Sequence, residues 1–117
     1  MELNQNVLDE FIFKLKKELY KGIVRELKLT YCTDDNGAYI NLDFILIKKT
    51  LRKKGWGSLV MSEIVRFANE HNVRIKLWAT DVYGSNLQRL YSFYYKHGFV
   101  LIKTENDDEM LFFPKKI

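Results

Sequence analysis

The stretch Arg52-Lys53-Lys54-Gly55-Trp56-Gly57-Ser58 constrains what this chain can fold into more than any other. Tyr39–Ile47 before it is dense in β-formers. Leu59–Ala68 after it carries apolar residues at three- and four-residue spacing, so the loop joins a strand to a helix start. Gly55 and Gly57 let backbone approach a ligand without a Cβ in the way. The helix start supplies free N–H groups and the positive end of a dipole. With Arg52, Lys53 and Lys54 around them, these groups form a cradle suited to a pyrophosphate. A basic surface loop with turn glycines is the alternative reading, and the flanking segments must separate the two.

Asn6 to Tyr20 predicts a helix with Leu8, Phe11, Ile12, Leu15 and Leu19 on one face, stopped by Gly22. Asp9, Glu10 and Glu18 interrupt its lysines, so a core-facing stripe explains it better than a membrane-surface role. Ile23 to Cys32 alternates as a strand. Asp34-Asp35-Asn36-Gly37 then predicts a hairpin turn and an antiparallel partner from Ala38. On that partner, Ile40, Leu42, Phe44 and Leu46 share one face, and Tyr39, Asn41, Asp43, Ile45 and Ile47 the other. Asn41 and Asp43 are polar positions on an apolar strand, so each needs a hydrogen bond or a cleft.

The helix after the loop is expected to end at Asn72 as a left-handed cap. Val73 to Thr80 is a strand, and a strand–helix–strand unit of this length implies a parallel pair with a right-handed crossover. Ser85 or Asn86 can cap a further helix carrying Leu87, Leu90, Tyr91 and Tyr94, ended by His97-Gly98. Phe99–Lys103 and Glu109–Phe113 are the last strands, joined by the turn Glu105-Asn106-Asp107-Asp108. The expectation is an α/β fold of the α+β mixed-sheet kind: a central mixed sheet of about five strands with helices on both faces.

Composition narrows the partners. At 117 residues, one domain spanning 1–117 is expected, with an N-terminal helix at 6–21 and a cofactor-binding and catalytic core at 39–113. The single Cys32 and the absence of metal-spaced Cys/His sets predict no disulfide and no metal, and suit a reducing cytoplasm. The first residues show neither a signal peptide nor an apolar run of membrane-spanning length, so no membrane partner is expected. A net charge of +4 suits a phosphate-bearing cofactor as well as nucleic acid. Because the basic run sits where a pyrophosphate is expected, no nucleic acid is predicted as a partner.

With both flanks read, the chain resembles the GNAT acetyltransferase superfamily over about Tyr39 to Phe113. Arg52, Gly55 and Gly57 match its R-x-x-G-x-G/A loop. Tyr94, Gly98 and Phe99 match its tyrosine four residues before Gly-Phe. The resemblance implies an N-acetyltransferase that moves acetyl from acetyl-CoA, its co-substrate, to a primary amine by direct attack in a ternary complex. A non-catalytic acyl-CoA-binding regulatory module of the same fold is the alternative. It also implies a cofactor site of Ile45, Ile47, Arg52, Lys53, Lys54, Gly55, Trp56, Gly57, Ser58, Asn86 and Tyr91. In the family the pantetheine arm lies along the strand before the loop, where that strand splays from its parallel neighbour. Tyr94 stands where the family's general acid stands, with Tyr91 as the competing tyrosine.

The sequence also departs from the family pattern. Asn41 occupies the strand position at which histone-type members carry a glutamate base, and Asp43 lies two residues on. Asp43, as a partly buried carboxylate in a cleft, or a water chain would then deprotonate the amine. The acceptor is a small-molecule amine or a protein lysine or N-terminus. The acidic stretch Glu105–Glu109 is either a solvated turn that keeps an edge soluble or a border of the acceptor side that favours a cationic acceptor. Short members of the family often dimerise, so a homodimer belongs with this resemblance.

Overall fold

The computed structural model describes residues 2–78, 87–103 and 108–115, and of residues 87, 103 and 108 the backbone alone. Asn4 opens helix α1 (Gln5–Phe13): its side chain accepts the Val7 N–H at 3.0 Å, an N-cap that satisfies one of the helix's free donors. The helix continues as a π-helical turn, Lys14–Leu19, whose Tyr20 N–H donates to the Leu15 carbonyl at 2.8 Å. Leu8 and Leu15 are fully buried, but Leu19, expected on the same stripe, is 53% exposed. Leu19 is the last residue of the π turn, where the chain leaves the helix towards Gly22. Gly22, at φ +79°, then turns the chain into the sheet.

Strands β1 (Val24–Asp34) and β2 (Gly37–Ile47) form the expected hairpin. Its tip is Asp35-Asn36, with Gly37 in the left-handed region at φ +106°. Helix α2 (Trp56–His71) follows the basic loop and ends on Asn72 at φ +53°, the left-handed cap expected of it. Strand β3 (Arg74–Trp78), helix α3 (Leu87–Lys96), strand β4 (Val100–Lys103) and strand β5 (Asp108–Phe112) complete the described elements. The five strands form one mixed sheet in the order β1-β2-β3-β5-β4, and only the β2–β3 pair is parallel.

A β-bulge changes the predicted faces of β2. Leu29 pairs with Leu42 and Lys28 with Phe44, which leaves Asp43 as the extra residue. An extra residue reverses the alternation beyond it. Ile40 and Leu42 therefore face the core before the bulge, and Ile45 and Ile47 face it afterwards. Phe44, expected with the buried set, is 36% exposed.

Apart from Leu111, the fully buried strand residues lie on one face: Val24, Leu27, Leu29, Ile40, Leu42, Ile75, Leu77, Met110 and Phe112. The mixed sheet with three helices is as expected, but those helices gather on this one face rather than on both. Phe11 of α1 stacks on Phe67 of α2 at 4.1 Å, and Phe93 of α3 lies against Gly57 of α2. The opposite face carries Thr30, Asn41, Arg74, Lys76 and Trp78. At the edge strand β1, the Gln5 side chain accepts from the Tyr31 N–H and donates to the Leu29 carbonyl, at 2.7 and 3.3 Å. It satisfies backbone groups that an edge otherwise leaves open.

Asp34 staples three strands on that opposite face. Arg74 of β3 donates to both of its carboxylate oxygens, at 2.6 and 3.0 Å, and the Lys76 ammonium lies 2.7 Å from it. The two cations sit over the Tyr39 ring of the intervening β2, at 5.4 and 4.3 Å. Hydrogen bonds from Arg74 and Lys76 hold the Asp34 carboxyl well below the usual carboxylate range. Its stabilising effect is therefore present above the unfolded value of about 4 and is lost as pH falls towards the lower native value. Asp34→Asn should melt below the wild type at pH 7, and the gap should close as pH is lowered from about 4. Thermal melts by circular dichroism check this, and a gap independent of pH would refute it.

Candidate functional site

The loop between β2 and α2 takes its shape from two left-handed residues. Past Ile47 the chain makes a 3₁₀ turn, Lys49–Leu51, and Arg52 is extended. Lys53 then adopts φ +64° and Gly55 φ +87°. A lysine in this region is uncommon and marks a backbone held by its surroundings. Turns of this kind form concave arrays of backbone N–H groups that bind anions. The first intrahelical bond of α2 runs from the Leu59 N–H to the Gly55 carbonyl, at 3.2 Å. The N–H groups of Trp56, Gly57 and Ser58 therefore have no acceptor within the helix.

The Arg52 Nε donates to the Ile47 carbonyl at 3.0 Å and closes the loop onto the end of β2. A cavity of about 270 Å³ lies there, lined by Ile47, Leu51, Arg52, Lys53, Gly55, Trp56, Gly57, Ser58 and Phe93. Of the predicted cofactor residues, Ile47, Arg52, Lys53, Gly55, Trp56, Gly57 and Ser58 are thus brought together. Lys54 is exposed on the loop outside the cavity lining, Ile45 packs against the core, and Tyr91 is 9% exposed within the core. Asn86 and the acidic residues Glu105–Asp107 lie outside the described residues. Glu109 of that acidic stretch lies 3.9 Å from Lys76.

Beside this loop the sheet opens. Among the described residues β2 pairs with β3 from Tyr39–Arg74 to Asn41–Lys76, and neither Leu77 nor Trp78 is paired with β2. Asp43 sits at the start of the parting. It is exposed rather than partly buried as expected, and its carboxylate accepts from Thr30 Oγ1 at 2.7 Å and from Asn41 Nδ2 at 3.0 Å. The sequence reading of Asn41 and Asp43 as polar residues needing partners is met by this pair of bonds. Thr30 was missed, because the sequence does not show which side chain of β1 turns to Asp43.

Tyr94 is half-buried between Phe93 and Phe99, with ring centroids 5.3 and 5.5 Å away. Burial pushes its hydroxyl above the ordinary tyrosine pKa, so it keeps its proton at neutral pH. Phe93, which the sequence did not single out, also lines the cavity. Among the described residues no group of three or more His, Cys, Asp or Glu side chains is placed to hold a metal. No helix among them is long and apolar enough to cross a membrane.

A family model described as "Acetyltransferase (GNAT) family" matches residues 22–99. Among solved structures, a Staphylococcus aureus Mu50 acetyltransferase of the GNAT family is similar over 98% of each chain, with TM-score 0.59 and 16% identity. Arabidopsis thaliana Naa50, in complex with the bisubstrate analogue CoA-Ac-MVNAL, is similar over 95% of this chain and 93% of its own, with TM-score 0.57 and 13% identity. AtaTR bound with acetyl-CoA is similar over 74% of this chain, with TM-score 0.55 and 20% identity. This chain spans about half of that one, 55% of its length. At these identities the likeness is one of fold. No curated protein matches the chain.

The two loop glycines should respond differently to a methyl group. Gly55→Ala forces a Cβ into a left-handed residue and should cost about 1–2 kcal/mol. At Gly57 a Cβ would meet the Phe93 ring at 3.7 Å, an ordinary contact. Gly57→Ala should therefore leave stability unchanged or raise it by up to about 1 kcal/mol through helix propensity. Urea unfolding of the two variants checks the contrast, and equal losses would refute it.

Proposed function

The chain belongs to the GNAT acetyltransferase family, and on that premise we propose that it transfers acetyl from acetyl-CoA to a primary amine by direct attack in a ternary complex. The observation that carries this reading is the parting of β2 from β3 directly beside a loop of left-handed residues and free helix-start amides. The loop amides, with Lys53 and the cavity around them, suit a pyrophosphate: polyanions are favoured at a helix N-terminus and by charge-assisted hydrogen bonds. The edge of β2 turned away from β1, from Leu42 to Ile47, offers donors and acceptors to an amide-bearing arm lying in the parting.

In this reading the amine nitrogen forms a bond to the acetyl carbon as the carbon–sulfur bond breaks. Tyr94 gives its proton to the departing sulfur, and a raised pKa keeps that proton available at neutral pH. The amine must shed a proton as well. Asp43, fixed by Thr30 and Asn41 at the mouth of the parting, either takes it or orders the water that does. The acceptor is a small-molecule amine or a protein lysine or N-terminus. The peptide-bearing analogue bound to Naa50 is in keeping with the latter. A half-buried free Cys32 fits a reducing cytoplasm.

The second reading, an acyl-CoA-binding module without turnover, draws on Asn41 in the strand position where a glutamate base would stand. Incubation with acetyl-CoA and a panel of amines, followed by thiol release, separates the two. Release with at least one amine supports the transferase, and tight binding with no release across the panel supports the module.

Tyr94→Phe should lower turnover by about 10²- to 10⁴-fold with little change in acetyl-CoA affinity. An unchanged rate, with a loss in Tyr91→Phe instead, would show that the acid is the other tyrosine. Gly57→Val should weaken CoA binding while the protein still folds, because the branched side chain intrudes on the backbone's approach to the phosphates. Calorimetry showing wild-type CoA affinity in that variant would refute the role given to the loop.

A further inference from the structure

A cavity of about 410 Å³ lies where β1 begins and β2 ends, lined by Gly22, Val24, Arg25, Lys48, Lys49 and Thr50. It shares no lining residue with the cavity at the cofactor loop. Two local features build it. Val24 pairs with Ile47 and Glu26 with Leu46, which leaves Arg25 as the extra residue of a β-bulge. A bulge re-aims a side chain, and here that side chain is a cation. One step past the Val24–Ile47 pair, the Lys48 N–H donates to the Ile23 carbonyl at 2.8 Å. That bond ties the turn carrying Lys48, Lys49 and Thr50 to the strand carrying Arg25.

The charge in this cavity has one sign. Among the described residues no carboxylate lines it, and Arg25, Lys48 and Lys49 have no ion-pair partner. Glu26, next to Arg25, lies 3.4 Å from Lys16 instead. Like charges gathered this way repel one another, and a bound anion relieves that repulsion. Acetyl transfer as proposed above uses none of the three cations.

We propose that this cavity binds a compact group carrying two or more phosphates, at a site separate from the cofactor loop. The residue types favour phosphate over carboxylate. The Arg25 guanidinium offers a planar fork matched to phosphate oxygens, Lys48 and Lys49 add point charges, and the Thr50 hydroxyl can donate a further hydrogen bond. All four residues are exposed, so solvent weakens each contact and the charge carried per group decides. A phosphate monoester brings about 1.5 to 2 negative charges at neutral pH, more than the single charge of a carboxylate. The cations converge from two segments on one cavity rather than following a helix or a strand, which suits a compact anion better than an extended polymer. The site does not depend on acetyl transfer.

The test is a titration of the isotope-labelled protein with inorganic tripolyphosphate, followed through its amide chemical shifts. Shifts of Gly22, Lys48, Lys49 and Thr50 should saturate together, on a curve separate from any response of Gly55–Ser58. A response at the first group alone would sink the role given to the cofactor loop and leave this site standing. In Arg25→Gln/Lys49→Gln the affinity read at Gly22 and Lys48 should fall by about tenfold or more, for two lost charge-assisted contacts. Both positions are exposed, so the variant should fold, and Arg25→Lys/Lys49→Arg should keep saturable binding. Vesicles of phosphatidylcholine with phosphatidylinositol bisphosphate identify the source of the phosphates. Co-sedimentation lost in the glutamine variant assigns them to a lipid headgroup, and tripolyphosphate binding without co-sedimentation assigns them to a free anion. No saturable shift at these residues, or an unchanged curve in the glutamine variant, overturns the proposal. So does tighter binding of citrate than of tripolyphosphate, which would make the cavity a carboxylate site.

Discussion

The candidate site depends on β2 and β3 pairing in parallel and then separating after Asn41 and Lys76. A parallel pair cannot be joined by a tight turn, so the chain must cross over through α2. The crossover fixes the start of α2 at the end of β2, and the strand ends and the helix start meet at Ile47–Ser58. The bulge at Asp43 falls where the pairing stops. A bulge bends and further twists its strand, so one extra residue helps turn β2 away from β3 and moves Ile45 and Ile47 to the core side.

The same chirality accounts for the one-sided layering. From β2 to β3, and from β3 past β5 to β4, the chain moves in one direction across the sheet. Right-handed crossovers made in one direction put their helices on one face. Hence α2 and α3 lie side by side, with Gly57 against Phe93. The core is consequently a single layer between sheet and helices. The opposite face must then be held by polar contacts, and there Asp34, Arg74, Lys76 and Tyr39 tie β1, β2 and β3 together. Such a network gains more from its geometry than isolated surface pairs do, because the bidentate Arg74–Asp34 contact fixes orientation as well as charge.

Much of this was legible in the residues. The strand–loop–helix reading around Arg52–Ser58, the parallel pair, the Asn72 cap and the hairpin at Asp35-Asn36 each follow from a local signal: spacing, a glycine, an asparagine. What escaped depends on contacts between segments distant in sequence. The alternation of β2 was misread beyond Leu42, because a bulge is set by the partner strand as much as by the strand itself. Leu19, at the end of the first helical segment, is exposed although its apolar spacing matches the buried stripe. Gln5 capping the edge of β1, and Thr30 holding Asp43, are ordinary polar residues until the fold places them. At the candidate site, the loop residues were readable from the glycines and lysines. Phe93 was not, since a crowded run of aromatics does not say which ring faces the neighbouring helix.

The two ends of the proposed proton path sit in opposite environments, and that opposition limits how the chemistry can run. Tyr94 is packed among Phe93 and Phe99, where burial favours the neutral hydroxyl and preserves it as a donor. Asp43 is open to water and already occupied by two donors. A residue so exposed shares its work with solvent: water at the mouth of the parting can accept the amine's proton directly, and the carboxylate then serves to orient the ammonium or that water. Catalytic acid and catalytic base therefore need not be equally specialised. In the proposed reaction the departing thiolate would be met by a half-buried hydroxyl and the incoming amine by an exposed carboxylate. Among the described residues the helices lie on one face of the sheet and Asp43 on the other, which is the source of this difference in exposure.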